Sequence, residues 1–150
     1  DGRLGEALMF QIPEFVGALR KEYGGQGPEF WKNFNMDTHK ELREYLGAEG
    51  PIEIADRLNE SINVVARFAK RYHGLNPDRK LVVWMVTHGD GLAPYVQRAL
   101  GVPEEDFSAG YDEGIGIAID FGGNATVNIG RKEYKVPLAT HGYPTSVQSN

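Results

Sequence analysis

His88 stands in the stretch VTHGDGLAP, Val86–Pro94. An apolar run, Leu81–Val86, leads into Thr87, and a glycine and an acid follow the histidine directly. Gly89 lets the backbone approach a ligand closely or take positive φ. Asp90 can cap a following helix. Pro94 is tolerated only in a first helical turn, so the helix is expected to start close to Asp90. Free N–H groups at such a start bind anions. An imidazole beside them can donate to a phosphate oxygen and stabilise charge in a transition state. The chemistry these residue types support is therefore phosphate binding. The plain alternative is a histidine that hydrogen-bonds a loop carbonyl.

Other constellations carry less. His39, His73, His88 and His141 are scattered, and none has metal-ligand spacing. ATHGYP, Ala139–Pro144, repeats Thr-His-Gly, but Pro144 argues against a helix starting there, which leaves His141 as a solvated tail residue. No Gly-x-Gly-x-x-Gly opens a helix after a strand, so no nucleotide or other cofactor is expected. Asp112 and Glu113 read as loop acids. Phe30, Trp31 and Phe34 read as core or as a pocket lid rather than a base-stacking platform.

The elements that must position His88 follow from periodicity. Leu8, Ile12, Phe15, Val16 and Leu19 share one helical face, with a break at Pro13. GGQGP, Gly24–Pro28, is a punctuation mark. Thr38–Gly47 has a Thr cap, a helical body and a terminating glycine. Pro51–Tyr72 is the strongest helix, with Ala55, Leu58, Ile62, Val65, Ala69 and Tyr72 in one stripe. Leu81–Val86 lacks alternation, as expected for a strand covered on both faces. A helix from Asp90 to Leu100 follows. Ile115–Phe121, Ala125–Ile129 and Glu133–Leu138 read as short strands, joined by turns at Gly122–Asn124 and Gly130–Lys132. The sum is a single α/β domain over residues 1–150 with a terminal antiparallel β-meander.

The bulk numbers agree with one globular domain. Among 150 residues, 41% are hydrophobic and 25% charged, which suffices for a real core. The net charge of −5 argues against a nucleic-acid surface. Cysteine is absent, which excludes disulfides and thiolate metal sites. No apolar run approaches membrane-spanning length, and residues 1–20 lack a signal-peptide layout, so a cytoplasmic location is the default expectation.

The unit made of a hydrophobic strand, Thr-His-Gly, and a helix with Leu92, Tyr95 and Val96 inward resembles the second-histidine motif of the histidine phosphatase superfamily, the group that includes the cofactor-dependent phosphoglycerate mutases. RLGE, Arg3–Glu6, resembles the family's Arg-Leu-x-Glu segment. LNES, Leu58–Ser61, with Arg67 resembles the helix before the second histidine, one residue short in its spacing. GIGIAIDFGGNATVNIG, Gly114–Gly130, resembles the closing strands. The resemblance spans most of the chain, and Thr-His-Gly is its most specific part.

The resemblance implies a histidine-phosphatase-like sheet flanked by helices. It also implies a two-step phosphoryl transfer from a phosphorylated small molecule through a phosphohistidine. His88 becomes the second histidine, Gly89 and Asp90 offer backbone N–H groups to the phosphate, and Glu6 is the candidate proton donor, which needs a raised pKa. The family's nucleophile lies in an Arg-His-Gly motif, and the 150 residues contain none. RYHG, Arg71–Gly74, has an extra Tyr and lies at a helix end. The expectation is that a segment with the first strand and both arginines is missing from this chain, that the chain alone is inactive, and that a further segment or a homo-oligomer completes it. The alternative is a non-catalytic phosphate-binding or interaction domain on the same scaffold.

Overall fold

In a computed structural model, residues 8–107 and 114–138 are described. A 3-10 turn, Leu8–Gln11, leads into helices α1 (Pro13–Tyr23), α2 (Pro28–Asn35), α3 (Lys40–Leu46) and α4 (Pro51–Leu75). The break expected at Pro13 is real, because the proline begins α1, where its missing N–H costs nothing. Gly24 and Gly47 end α1 and α3 at φ 70, a conformation that glycine adopts without a Cβ penalty. Thr38 does not cap α3. His39 holds that position, and the Thr38 hydroxyl donates to the Asn33 carbonyl instead.

Two apolar clusters make the core. The first gathers Met9, Phe15, Val16, Leu19, Phe30, Phe34, Ala48 and Ile54 from the N-terminal helices. The expected aromatic cluster is therefore core, with Phe30 and Phe34 buried and Trp31 edge-on to Phe30. The second gathers Leu58, Ile62, Leu92, Tyr95, Val96, Leu100, Val102, Ala125, Val127 and Val136. α4 contributes to both, which makes it the spine of the molecule.

The C-terminal strands are β1 (Ile117–Ile119), β2 (Ala125–Ile129) and β3 (Lys132–Lys135), a three-stranded antiparallel sheet in that order. Its register pairs Ala118 with Thr126 and Val127 with Tyr134. Ala125 and Val127 point into the second cluster while Asn128 faces out, the alternation of a sheet with one covered face. Asp120 fixes the first turn, accepting from the Asn124 backbone N–H and side-chain amide, each at 2.8 Å. These bonds hold the exposed Asp120 carboxyl below its usual range. The Asn59 amide donates to the Pro137 carbonyl at 3.0 Å and ties the sheet to α4.

The strand expected at Leu81–Val86 is not formed. Residues 80–86 make no backbone–backbone hydrogen bond among the described residues, and Val82, Trp84 and Val86 are 73%, 90% and 84% exposed. The physical reason is the topology. The described strands bond only to one another, so nothing lies beside this run to form a ladder. The described architecture is therefore mixed helix with a small antiparallel sheet. No described helix is long and apolar enough to cross a membrane.

A buried ionic cluster braces the α3–α4 corner. The Arg43 guanidinium, 6% exposed, donates to both carboxylate oxygens of Asp37, at 2.8 and 3.0 Å, and lies 3.5 Å from Glu53. Its hydrogen bonds to Asp37 hold its pKa above the usual value. A Cβ added at Gly50 would sit 2.5 Å from the Arg43 guanidinium carbon. Gly50→Ala is therefore expected to destabilise the fold by about 1–3 kcal/mol. Gly17→Ala, in open space within α1, is expected to stabilise it by about 0.5–1 kcal/mol. Denaturant unfolding of the two variants should show opposite signs, and equal midpoints would refute the close approach.

Candidate functional site

His88 opens helix α5 (Gly89–Pro94), which continues as a π-helical turn, Tyr95–Ala99. Its backbone is extended, φ −84 and ψ 154, and its carbonyl accepts from the N–H groups of Gly91 and Leu92 at 2.9 and 3.1 Å. His88 is thus the N-cap residue by backbone geometry, and its side chain is exposed. Asp90 was expected as the cap and stands in the first turn instead, a favourable place for an acid beside the helix dipole.

Pro94 corrects a second expectation. It lies inside the helical stretch, beyond the first turn, and is buried. Proline supplies no N–H to the turn before it, and the wider π-helical turn that follows absorbs the lost bond. The helix holds its place by packing rather than by regular bonding. Leu92, Tyr95 and Val96 are inward as expected, packed with Leu58 and Ile62 of α4. The Arg98 guanidinium donates to the Asn35 carbonyl and fastens this helix to the end of α2.

Gly91 shows how tightly the segment is folded. A Cβ there would meet the Thr87 hydroxyl at 3.1 Å. The glycine thus leaves room for Thr87 to lie against the first turn. The two residues following His88 are partly open, Gly89 exposed and Asp90 half-buried. Chemically the arrangement offers an imidazole, backbone N–H groups at a helix start and a hydroxyl within one short segment. That set can hold an oxyanion.

Of the residues singled out in the sequence, His88, Gly89 and Asp90 are together by adjacency. Glu6 and His141 lie outside the described residues, as do Asp112 and Glu113, and the structure places none of them. His88 also lacks the sheet edge expected beneath it, since Leu81–Val86 forms no ladder. An open depression lies elsewhere, lined by Glu105, Asp106, Phe107, Gly114, Ile115, Asn128, Ile129 and Gly130. The Asp106 carboxylate on its wall pairs with Lys132 at 2.9 Å. No cluster of metal-ligating side chains occurs among the described residues.

Sequence reasoning missed the Arg43–Asp37 pair. Its only local signal is Asp37 itself, the one described non-glycine residue at positive φ, 55°. Aspartate tolerates that conformation better than most residues, and the turn aims its carboxylate at Arg43. The buried pair braces the fold and offers no open face for chemistry.

Comparison with protein-family models, curated proteins and solved structures finds no match to this chain.

Tyr95 is a second group that sequence reading placed only as core. It is fully buried, its hydroxyl has no hydrogen-bond partner among the described residues, and burial pushes its pKa well up. A buried hydroxyl without a partner opposes folding. Tyr95→Phe is therefore expected to keep the fold and raise stability by about 1 kcal/mol. A loss of that size in thermal or urea unfolding would instead show that the phenol is bonded in solution.

Proposed function

We propose that the chain carries the phosphate-holding part of a phosphohydrolase or phosphomutase that works through a phosphohistidine. The observation that supports this most is the placement of His88 at the start of the helical stretch Gly89–Ala99, with its side chain open to solvent. In this reading Leu81–Val86 would join a histidine-phosphatase-like sheet only when a neighbouring strand is supplied, and His88 follows its carboxyl end. The substrate is a phosphorylated small molecule, held by the imidazole and by the N–H groups of Gly89 and Asp90.

The chemistry then runs in two steps. A histidine nitrogen from an Arg-His-Gly segment attacks phosphorus, and the ester P–O bond breaks. Glu6 gives its proton to the leaving oxygen. Water or a second acceptor hydroxyl next attacks phosphorus, the P–N bond breaks, and Glu6 takes the proton back. His88 donates to a non-bridging oxygen throughout, where charge develops.

A second reading has a specific observation behind it. The 150 residues contain no Arg-His-Gly. The same His88 site would then bind phosphate without turning it over, on a non-catalytic domain.

The test is an aryl-phosphate assay on the 150-residue chain, joined to vanadate binding. The chain alone is expected to show weak binding and no turnover above background. His88→Ala should weaken that binding. Joining an N-terminal segment that carries Arg-His-Gly should bring hydrolysis, and His88→Ala in the joined protein should lose roughly a hundredfold or more in rate. Binding without recovered hydrolysis would favour the non-catalytic reading. Robust metal-independent turnover by the chain alone would overturn the assignment of the nucleophile, with His141 the first residue to examine.

A further inference from the structure

The outward face of α4 carries a charge pattern that the helix does not need for itself. Asp56, Glu60, Val64, Arg67 and Arg71 recur at steps of three and four, so they share one stripe. Leu58, Ile62, Ala66 and Ala69, all buried, lie on the opposite side of the helix. The four charged residues are exposed and Val64 is half-buried. Both acids precede the valine, and both arginines follow it. Asp56 with Glu60, and Arg67 with Arg71, are like-charge pairs four residues apart, an arrangement that destabilises a lone helix. The macrodipole does not account for it, because that effect is confined to the first and last turns, and these residues all lie between them. Among the described residues, Asp56, Glu60 and Arg71 are in no ion pair.

We propose that this stripe packs against the same stripe of a second copy, in an antiparallel two-fold dimer. A two-fold axis normal to the helix pair reverses one helix and keeps the same face turned to its partner. With the axis between Asn63 and Val64, Glu60 and Arg67 lie at equal distances from it, and so do Asp56 and Arg71. Glu60 then stands opposite the second copy's Arg67, and Asp56 opposite its Arg71. Symmetry forms the two reciprocal pairs. The stripe read backwards is thus its own charge complement.

The centre of the contact is apolar. The two Val64 side chains meet at the axis. Phe68, one turn on along the same flank and 56% exposed, follows them on each side. An apolar centre with charged ends is the anatomy of a specific interface. The two-fold satisfies every charge of the stripe once, so the assembly closes at two copies.

Charge selects both the occupant and its direction. Parallel packing sets the acids against their own equivalents and the arginines against theirs, which repels. A uniformly acidic or uniformly basic partner suits one half of the stripe and opposes the other. The rise from Asp56 to Arg67 is about 16 Å of helix, beyond the Debye length of about 8 Å at physiological salt, so the two halves act separately. The net charge of −5 repels two copies at long range. At about 0.1 M salt that repulsion is screened beyond about 10 Å, while the pairs of the stripe act at contact. Exposed ion pairs contribute little singly, and a dissociation constant on the order of 100 μM is expected at that salt. This dimer is independent of phosphate chemistry and stands whether or not His88 binds an anion.

The experiment follows the full 150-residue chain by sedimentation velocity from about 10 to 500 μM, a range that brackets that constant. The expected result is a monomer–dimer equilibrium at about 0.1 M salt that recedes to monomer at about 1 M, where the Debye length falls to about 3 Å. Asp56→Arg and Arg71→Asp, each alone, set like charges opposite one another and should raise the dissociation constant by roughly tenfold or more. An equal mixture of the two variants should dimerise again, because one copy then carries arginine at both positions and the other aspartate at both. The chain with both substitutions should self-associate as the original does. Both positions are exposed, so helical circular dichroism should be retained in every variant. The chain has no cysteine, so single cysteines report the geometry without reversing any charge. Val64→Cys, at the axis, should form a disulfide-linked dimer under mild oxidation, and Gly74→Cys, far from the axis, should not. Four results would overturn the proposal. The chain could stay monomeric throughout the range. The two single reversals could associate as strongly as the original. Their mixture could fail to associate. Gly74→Cys could cross-link as readily as Val64→Cys, which would mean that a different face makes the contact.

Discussion

The structure depends on the apolar stripe of α4. Ile54, near its start, belongs to the first core cluster, and Leu58 and Ile62, one and two turns on, belong to the second. The helix therefore joins the N-terminal helices to the α5 segment and the sheet through a single rigid element. Helix periodicity makes this possible because residues three and four apart share a face, so one stripe can serve two layers in succession. Charged groups steady its start. Arg57 grips both oxygens of the largely buried Glu49 at 2.9 and 3.1 Å, and Glu49 also accepts from the Leu8 N–H. At the other side Glu53 reaches back to the Gly50 N–H at 3.1 Å while facing Arg43. Removing one partner from such a buried pair leaves a charge without compensation, so these ions constrain the corner more than they add to net stability.

The same stripe positions the candidate site. α5 and its π-helical turn are too short and too irregular to hold themselves, since an isolated helix of that length is marginal in water. Tyr95 and Val96 insert against Leu58 and Ile62, and this burial fixes the helix axis. His88 stands at one end of a segment anchored at the other. Its backbone is well determined by two hydrogen bonds, while its ring is placed by nothing among the described residues. The site is therefore organised at the level of N–H direction and open at the level of the imidazole.

Most of the helices were legible in the sequence because periodicity and punctuation agree. Pro13, Pro28 and Pro51 each begin a helix, and Gly24 and Gly47 each follow one at positive φ. The β2 boundaries Ala125–Ile129 are those read from the sequence, because a two-sided alternation is bounded there by glycine turns. Leu81–Val86 was read wrongly for an instructive reason. An apolar run without alternation signals strand propensity and a need for cover on both faces, but a strand also needs a neighbour with which to bond. Neighbours are a property of topology, which no local window contains. Pro94 was misplaced for a similar reason, because the compensating π-helical turn is fixed by the burial of Tyr95 and Val96. At the candidate site, only the adjacency of His88, Gly89 and Asp90 was legible, and Glu6 lies beyond what the structure describes.

The bare run Leu81–Val86 and the candidate phosphate site are one problem in electrostatics. His88 follows the run by two residues, so whatever covers Val86 also changes the medium around the imidazole. In water, a helix start contributes about 0.3–1 kcal/mol toward an anion, and salt screens it. An exposed histidine adds a hydrogen bond that solvent already offers. The same groups beside a covered strand would act at lower effective dielectric, where attraction between fixed charges grows several-fold. Oxyanion stabilisation draws its size from such water-excluded, preorganised donors. The segment as it stands presents the donors without the exclusion of water. Cover over Leu81–Val86, from whichever strand supplies it, is thus the physical condition under which His88 changes from a solvated residue into one able to hold developing charge.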